Sequence, residues 1–124
     1  MTAPDSNVAA TTAEEAAVLD AATAYYQAAK MGDYAYTYNH LSRSDQAYYT
    51  LDEWVAANTA LDSAASEFVI YDVFQATAVS YEVDLTVYLA DGSSFNRRTM
   101  WTPVNGEYMH WLTGEEQDMF NSVL

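Results

Sequence analysis

The first third of the chain carries apolar residues at helical spacing. From residue 13 to residue 31 they recur every three or four positions, at Val18, Ala21, Ala22, Tyr25 and Ala29. Thr12 and Glu15 have the spacing of a capping box, which begins helices, and Gly32 suits the left-handed position that ends them. The pattern predicts one long amphipathic helix.

Two shorter helices are predicted next. Asp33 is a natural N-cap for a helix that runs to about Leu41. Thr50 and Glu53 repeat the capping-box spacing and predict a third helix that runs to about Ala65. Each has an apolar stripe, so each is expected to pack against another part of the protein.

After residue 66 the apolar residues alternate with polar ones, and β-branched and aromatic residues become frequent. The alternation predicts strands at residues 66–75, 78–90, 94–104 and 107–112. Gly92 and the pair Asn105-Gly106 suit the hairpin turns between them, and Thr113 with Glu116 predicts a last helical turn toward Phe120. The order predicts an α+β fold in which three N-terminal helices cover one face of a strongly curved, four-stranded antiparallel sheet.

The composition of the chain argues against several classes of function. The 124 residues suit one domain, predicted at residues 12–124 after a flexible lead-in at 1–11. Eighteen acidic residues against four Lys and Arg give a net charge of −14, which argues against nucleic acid as a partner. No apolar run is long enough for direct membrane insertion. Cysteine is absent, and the two histidines lack metal-ligand spacing, so neither a metal nor a cofactor is expected.

Short motifs in the helical region resemble those of a known superfamily. They are an aromatic pair, a Gly-Asp-Tyr turn, a Tyr…Leu-Ser segment and a capped helix with Glu-Trp, at Tyr25, Tyr26, Gly32, Asp33, Tyr34, Tyr38, Leu41, Ser42, Glu53 and Trp54. The pattern resembles the nuclear transport factor 2-like (NTF2-like, or cystatin-like cone) superfamily. It is most similar to bacterial extracytoplasmic members such as the N-terminal domain of methicillin-resistance penicillin-binding proteins.

The resemblance implies a cone whose curved sheet wraps around the first helix and opens into a pocket. It implies a non-catalytic binding or spacing module with a small apolar or aromatic ligand, outside a bacterial cytoplasm, or inside it if residue 1 is the native start. Aromatic side chains are the candidate ligand-binding residues: Tyr25, Tyr26, Tyr38, Trp54, Trp101 and Tyr108.

An enzyme is the alternative. Asp72, Arg97 and His110 each fall on the ring-rich side of a predicted strand, where an acid, a guanidinium and an imidazole could act as a hydrolase, isomerase or dehydratase. A shift of one residue or a β-bulge would turn Asp72 and Arg97 outward. The acidic residues Glu115, Glu116 and Asp118 are interpreted as a solvated helix start.

A second alternative is a dimerisation module. Met100, Met109 and Trp111 fall on the opposite side of the predicted strands and could form an apolar patch there. A homodimer through the sheet would cover it.

Overall fold

The computed structural model describes residues 12–61, 67–89 and 91–124. The predicted lead-in at 1–11 and the predicted end of the third helix at 62–66 lie outside the described residues. The assignment of residues 12–124 to one domain stays a prediction.

The first helix, α1, spans Ala13–Lys30. It begins where the Thr12 hydroxyl accepts a hydrogen bond from the Glu15 amide at 3.0 Å, and the chain leaves it at Gly32, whose φ is +76°. The buried side of α1 consists of Val18, Ala22, Tyr25, Tyr26 and Ala28. The helix therefore lays an aromatic pair on the core, as its apolar spacing predicts.

Three shorter helices follow in the described ranges: α2 at Tyr34–Asn39, α3 at Arg43–Tyr48 and α4 at Leu51–Ala60. The α3 helix was not predicted, and α2 ends before Leu41. The reason is a parallel bridge between Leu41 and His110, in which the Ser42 amide donates to the His110 carbonyl and the His110 amide donates to the His40 carbonyl, both at 2.8 Å. This bridge holds the chain extended at Leu41 and interrupts the helical path.

The sheet is an antiparallel meander of β1 (Glu67–Thr77), β2 (Ser80–Tyr88), β3 (Ser94–Val104) and β4 (Glu107–Trp111), in that spatial order. Positive φ angles at Gly92 (+89°), Asn105 (+51°) and Gly106 (+84°) form two of the turns. Val79 falls within the predicted strand 78–90, but it occupies the turn between β1 and β2 and is 67% exposed.

The last helix, α5, spans Gly114–Asn121 and begins with a complete capping box between Thr113 and Glu116. Phe120 carries it onto the core, where its ring centroid lies 4.5 Å from that of Trp54 on α4. The helix covers one end of the inner sheet face.

The helices cover a curved, unclosed sheet on its inner face, which confirms the predicted α+β architecture. Inward side chains alternate along β2 at Tyr81, Val83, Leu85 and Val87, all buried. No helix among the described residues has an apolar stretch long enough to cross a membrane.

Candidate functional site

A cavity of about 110 Å³ lies between the helices and the inner face of the sheet. Its walls are largely apolar. The helices contribute Trp54, Leu61, Met119 and Phe120, and the strands with their ends contribute Phe68, Val87, Leu89 and Phe95. Drug-sized ligands occupy pockets of about 300 Å³ or more. This smaller cavity therefore suits a small apolar molecule.

Aromatic rings pack closely beside this cavity. The His110 imidazole stacks on Trp101 with centroids 4.9 Å apart and planes 13° apart. Tyr25 meets both rings edge-on, at 4.8 Å from His110 and 5.3 Å from Trp101. His110 is 1% exposed. The imidazole is thus fixed by ring contacts on two sides and by the backbone bridge of β4.

His110 pairs with a buried acid from α5. Its Nε2 lies 3.2 Å from both carboxylate oxygens of Glu116, and the geometry to Oε1 is that of a hydrogen bond. The same Oε1 accepts from the Thr113 amide at 3.0 Å. Burial alone would raise the pKa of Glu116, but His110, Arg97 and the Thr113 amide outweigh it and lower that pKa below its usual value. Glu116 is therefore held as a carboxylate inside the protein.

A second buried acid, Asp45, forms hydrogen bonds next to the His110–Glu116 pair. Asp45 on α3 accepts hydrogen bonds from the Ser42 hydroxyl at 2.8 Å and from the Leu112 amide at 2.9 Å. The Gln117 side chain on α5 lies 3.5 Å from its other oxygen. Because these bonds join α3 to the chain that leaves β4 and to α5, Asp45 keeps the His110–Glu116 pair in place.

Arg97 on β3 is half-buried at the cavity. Its guanidinium carbon lies 5.0 Å from the Phe95 ring centroid, and one of its nitrogens lies 3.4 Å from the Met119 sulfur. No carboxylate oxygen of the described residues lies within 4.0 Å of it. This cation is held by a ring and a thioether, which are weak partners for a guanidinium.

Three buried polar atoms of cavity-lining residues make no hydrogen bond of good geometry: the Tyr26 hydroxyl, Nδ1 of His110 and Oε2 of Glu116, which lies only within ion-pair distance of His110. Arg97 and Thr99 lie close to the Tyr26 hydroxyl and lower its pKa, but neither makes a hydrogen bond of good geometry with it. Burial is the main reason that the pKa of Tyr26 is raised, so its hydroxyl keeps its proton. Buried polar atoms are normally paired, and these three require an explanation.

The expectation that Asp72 faces the cavity is wrong. The register of β1 shifts between Ile70 and Asp72, so two residues of β1 oppose one position of β2. This β-bulge turns Asp72 out and places Val73 in the core. Asp72 is paired with Asp84 on the outer face, away from Arg97 and His110.

The aromatic candidates divide into two groups. Tyr25, Tyr26 and Trp54 line the cavity, as do Arg97 and His110. Trp101 is packed behind His110 and is 0% exposed. Tyr38 lies away from the cavity, with its hydroxyl 2.9 Å from the Gln46 carbonyl and 2.7 Å from the Tyr49 carbonyl, and Tyr108 lies against Tyr81. For Trp101, Tyr38 and Tyr108 the structure shows packing contacts where a cavity lining was predicted.

Glu116 was missed by sequence reasoning, which assigned it to a solvated helix start. It is 3% exposed. Its capping-box position after Thr113 was visible in the sequence, but the position fixes only the helix start. The side chain is buried because α5 folds back over the inner sheet face, a tertiary arrangement that local spacing does not encode.

The outer face of the sheet has a different character. Met100 is paired with Trp111, and Thr102 with Met109, so the predicted apolar patch is contiguous. A homodimer through it stays a prediction.

Close by on the outer face, Glu82, Asp84 and Asp72 form an acidic group with Arg98. Within the described ranges no group of three or more His, Cys, Asp or Glu side chains is placed to hold a metal ion.

Comparison with known proteins identifies the fold. A scan against protein-family models finds no match, and a search of the curated proteins finds none. Among solved structures, the chain is similar to a protein of Campylobacter jejuni provisionally named an NTF2-like transpeptidase, with a TM-score of 0.59 and 10% identity. The match covers 77% of this chain and 98% of that one. At this identity the likeness shows the fold, which is NTF2-like.

Proposed function

We propose that this chain, whose fold is NTF2-like, is a non-catalytic binding module that holds one small, largely apolar ligand inside the cone. The cavity of about 110 Å³ carries the proposal, because its walls are apolar while unpaired polar atoms of Tyr26 and His110 lie beside it. Pockets with apolar walls and a few convergent polar groups are typical ligand sites.

The arrangement of the acids supports a binding role over a catalytic one. Asp72, the predicted base, is on the outer face. Glu116 has one oxygen shared between Thr113 and His110 and the other within ion-pair distance of His110. A carboxylate so engaged stabilises the fold and has little freedom to abstract a proton from a ligand.

We place the module outside the cytoplasm of a bacterium. The support is the resemblance of its motifs to extracytoplasmic domains of penicillin-binding proteins and the bacterial origin of the similar structure. Fractionation of cells that express the full native gene tests this: recovery with the cytoplasmic fraction would contradict it.

The binding role is tested by titrating the protein with neutral one-ring compounds such as phenol and toluene and following ligand signals by NMR. Ala29 lines the cavity from α1, and a larger residue there should fill it. We expect Ala29→Phe to abolish binding. Ala24→Phe is the matched control, since Ala24 lies on the same helix in an exposed position. The proposal would be contradicted if Ala29→Phe bound these compounds as well as the wild type does. It would also be contradicted if the wild type and both variants bound none of them.

A small-molecule hydrolase, isomerase or dehydratase is the second candidate. It is favoured by one observation: the cavity brings Arg97 and His110 together with Glu116, an acid that takes the place expected for Asp72. Incubation with one-ring epoxides, enones and hydroxyketones tests it. Turnover that is lost in His110→Asn, while the variant keeps its fold by circular dichroism, would establish an enzyme and overturn the non-catalytic role.

A further inference from the structure

We propose that the ligand is a small aromatic carboxylate, whose ring fills the cavity and whose carboxylate is held by Arg97 and the Tyr26 hydroxyl. This inference rests on the binding function proposed above and names the chemistry of its ligand.

The charge around Arg97 favours an anionic ligand. In a chain with 18 acids and four Lys and Arg residues, cations should find carboxylates easily. Lys30 pairs with Glu67 at 3.1 Å, and Arg98 pairs with Glu82 at 3.1 Å. Neither Arg43 nor Arg97 has a carboxylate partner among the described residues, but Arg43 is exposed to water whereas Arg97 is partly withdrawn from it. A half-buried guanidinium normally has an anionic or hydrogen-bonding partner, so an anionic ligand accounts for it.

The nearby acid does not fill this role. Glu116 lies close enough for Arg97 to lower its pKa, yet its Oε1 accepts hydrogen bonds from His110 and Thr113, its Oε2 faces His110 at 3.2 Å, and neither oxygen lies within 4.0 Å of Arg97. Arg97 makes one contact to a sulfur atom, which is a weak acceptor, and keeps its other N–H groups for a ligand. The planar fork of a guanidinium matches the two oxygens of a carboxylate.

The Tyr26 hydroxyl also favours a ligand that accepts a hydrogen bond. Tyr26 is 6% exposed, it lines the same cavity, and its hydroxyl has no hydrogen-bond partner in the described structure. The hydroxyl lies beside Arg97, keeps its proton because burial raises its pKa, and makes no hydrogen bond of good geometry. A carboxylate between them would accept from both, which would satisfy two buried groups with one ligand group.

The size and shape of the cavity favour a single aromatic ring. The space of about 110 Å³ is comparable to the cavity of about 150 Å³ that takes up benzene in an engineered protein. Phe68, Phe95 and Phe120 line it and offer edge and face contacts to a ring. Arg97 is itself over the Phe95 ring at 5.0 Å, so the charged end of the ligand lies at the level of Phe95. A single ring with one carboxylate fits this arrangement.

Isothermal titration calorimetry with benzoate and with benzamide, its neutral counterpart of the same shape, tests the proposal. We expect benzoate to bind at least about tenfold more tightly than benzamide, because only benzoate forms charge-assisted hydrogen bonds. Arg97→Gln should remove about tenfold or more of the benzoate affinity and leave benzamide unchanged. Tyr26→Phe should weaken benzoate severalfold.

Arg98→Gln is the matched control. Arg98 is the next residue on β3, faces outward and pairs with Glu82, so its loss should leave both affinities within about twofold. Equal loss of benzoate affinity in both arginine variants would indicate a general charge effect and overturn the assignment to Arg97.

If benzamide and phenol bind as well as benzoate and Arg97→Gln changes nothing, the cavity binds neutral rings and the carboxylate inference is wrong. If no ring compound binds the wild type, both are wrong.

Discussion

Arg97 and Arg98 are neighbours in the sequence, yet the two faces of β3 give them opposite surroundings. Arg97 points inward to a ring, a sulfur atom and an apolar cavity, without a carboxylate among the described residues within ion-pair distance. Arg98 points outward, is 74% exposed and binds Glu82. The comparison shows that a cation on the inner face meets a ring and a thioether, while its neighbour on the outer face meets a carboxylate of the acidic group Asp72, Glu82 and Asp84.

The largest difference between the faces should appear at their tryptophans. Trp101 is 0% exposed on the inner face and Trp111 is 41% exposed on the outer face. We expect Trp101→Ala to lower the free energy of unfolding by about 3–5 kcal/mol, because it leaves a cavity in the core. Trp111→Ala should cost less than about 1 kcal/mol. Urea unfolding followed by circular dichroism measures both, and similar costs would contradict the assignment of faces.

The buried His110–Glu116 pair should show the next largest effect on the free energy of unfolding. Glu116→Ala leaves His110 without its partner and removes half of the α5 capping box, so we expect a loss of about 3 kcal/mol in the free energy of unfolding. Glu115→Ala is the control in the same helical turn, and its exposed side chain predicts a change within about 0.5 kcal/mol.

The Glu116 effect should depend on pH. Since its pKa in the folded protein is below its ordinary value of 4.5, it contributes stability above pH 4.5 and loses it as the pH falls through the folded pKa. The cost of Glu116→Gln, measured by urea unfolding from pH 7 to pH 3, should therefore shrink toward acid. A cost that grows toward acid would contradict a buried carboxylate at this position.

On the outer face, Asp84 should make a smaller contribution to the pH dependence of stability, opposite in sign to that of Glu116. Burial, a hydrogen bond with Glu82 and the charge of Glu82 raise the pKa of Asp84 to about 7, with Asp72 adding repulsion and Arg98 opposing it. The folded protein then holds a proton that the unfolded chain releases above pH 3.8, so this site loses stability as the pH rises from about 4 to about 7.

We expect Asp84→Asn to stabilise the protein by about 1 kcal/mol at pH 8 and by less at pH 5, since solvent screening at this partly exposed site limits the repulsion. Thermal unfolding at the two pH values measures the difference. Added salt should reduce the gain at pH 8, and a gain that is equal at both pH values would show that charge is not its cause.

Much of the fold could be predicted from local patterns. The capping residues Thr12, Thr50 and Thr113 and the change from helical to alternating spacing after residue 66 indicated the order of elements. These signals are local, because caps and periodicity depend on residues a few positions apart.

The parts of the site that were wrong depend on tertiary structure. The bulge at residues 70–72 of β1 turned the Asp72 side chain from the inner face to the outer face, since one extra residue exchanges the two faces of a strand. Glu116 became buried because α5 packs on the inner face. By contrast, the inward parity of Arg97 and His110 could be predicted from the alternation along β3 and β4, which carry no register shift.

The three tryptophan indole N–H signals offer the most direct test of the account. Trp54 lines the cavity, Trp101 is packed behind His110, and Trp111 lies on the outer face. In a ¹H–¹⁵N titration of the wild-type protein with benzoate, we expect the Trp54 indole signal to shift saturably, while the Trp111 signal stays in place. A saturable shift of Trp111 without Trp54, or no shift of any indole signal at millimolar benzoate, would contradict a ligand pocket inside the cone.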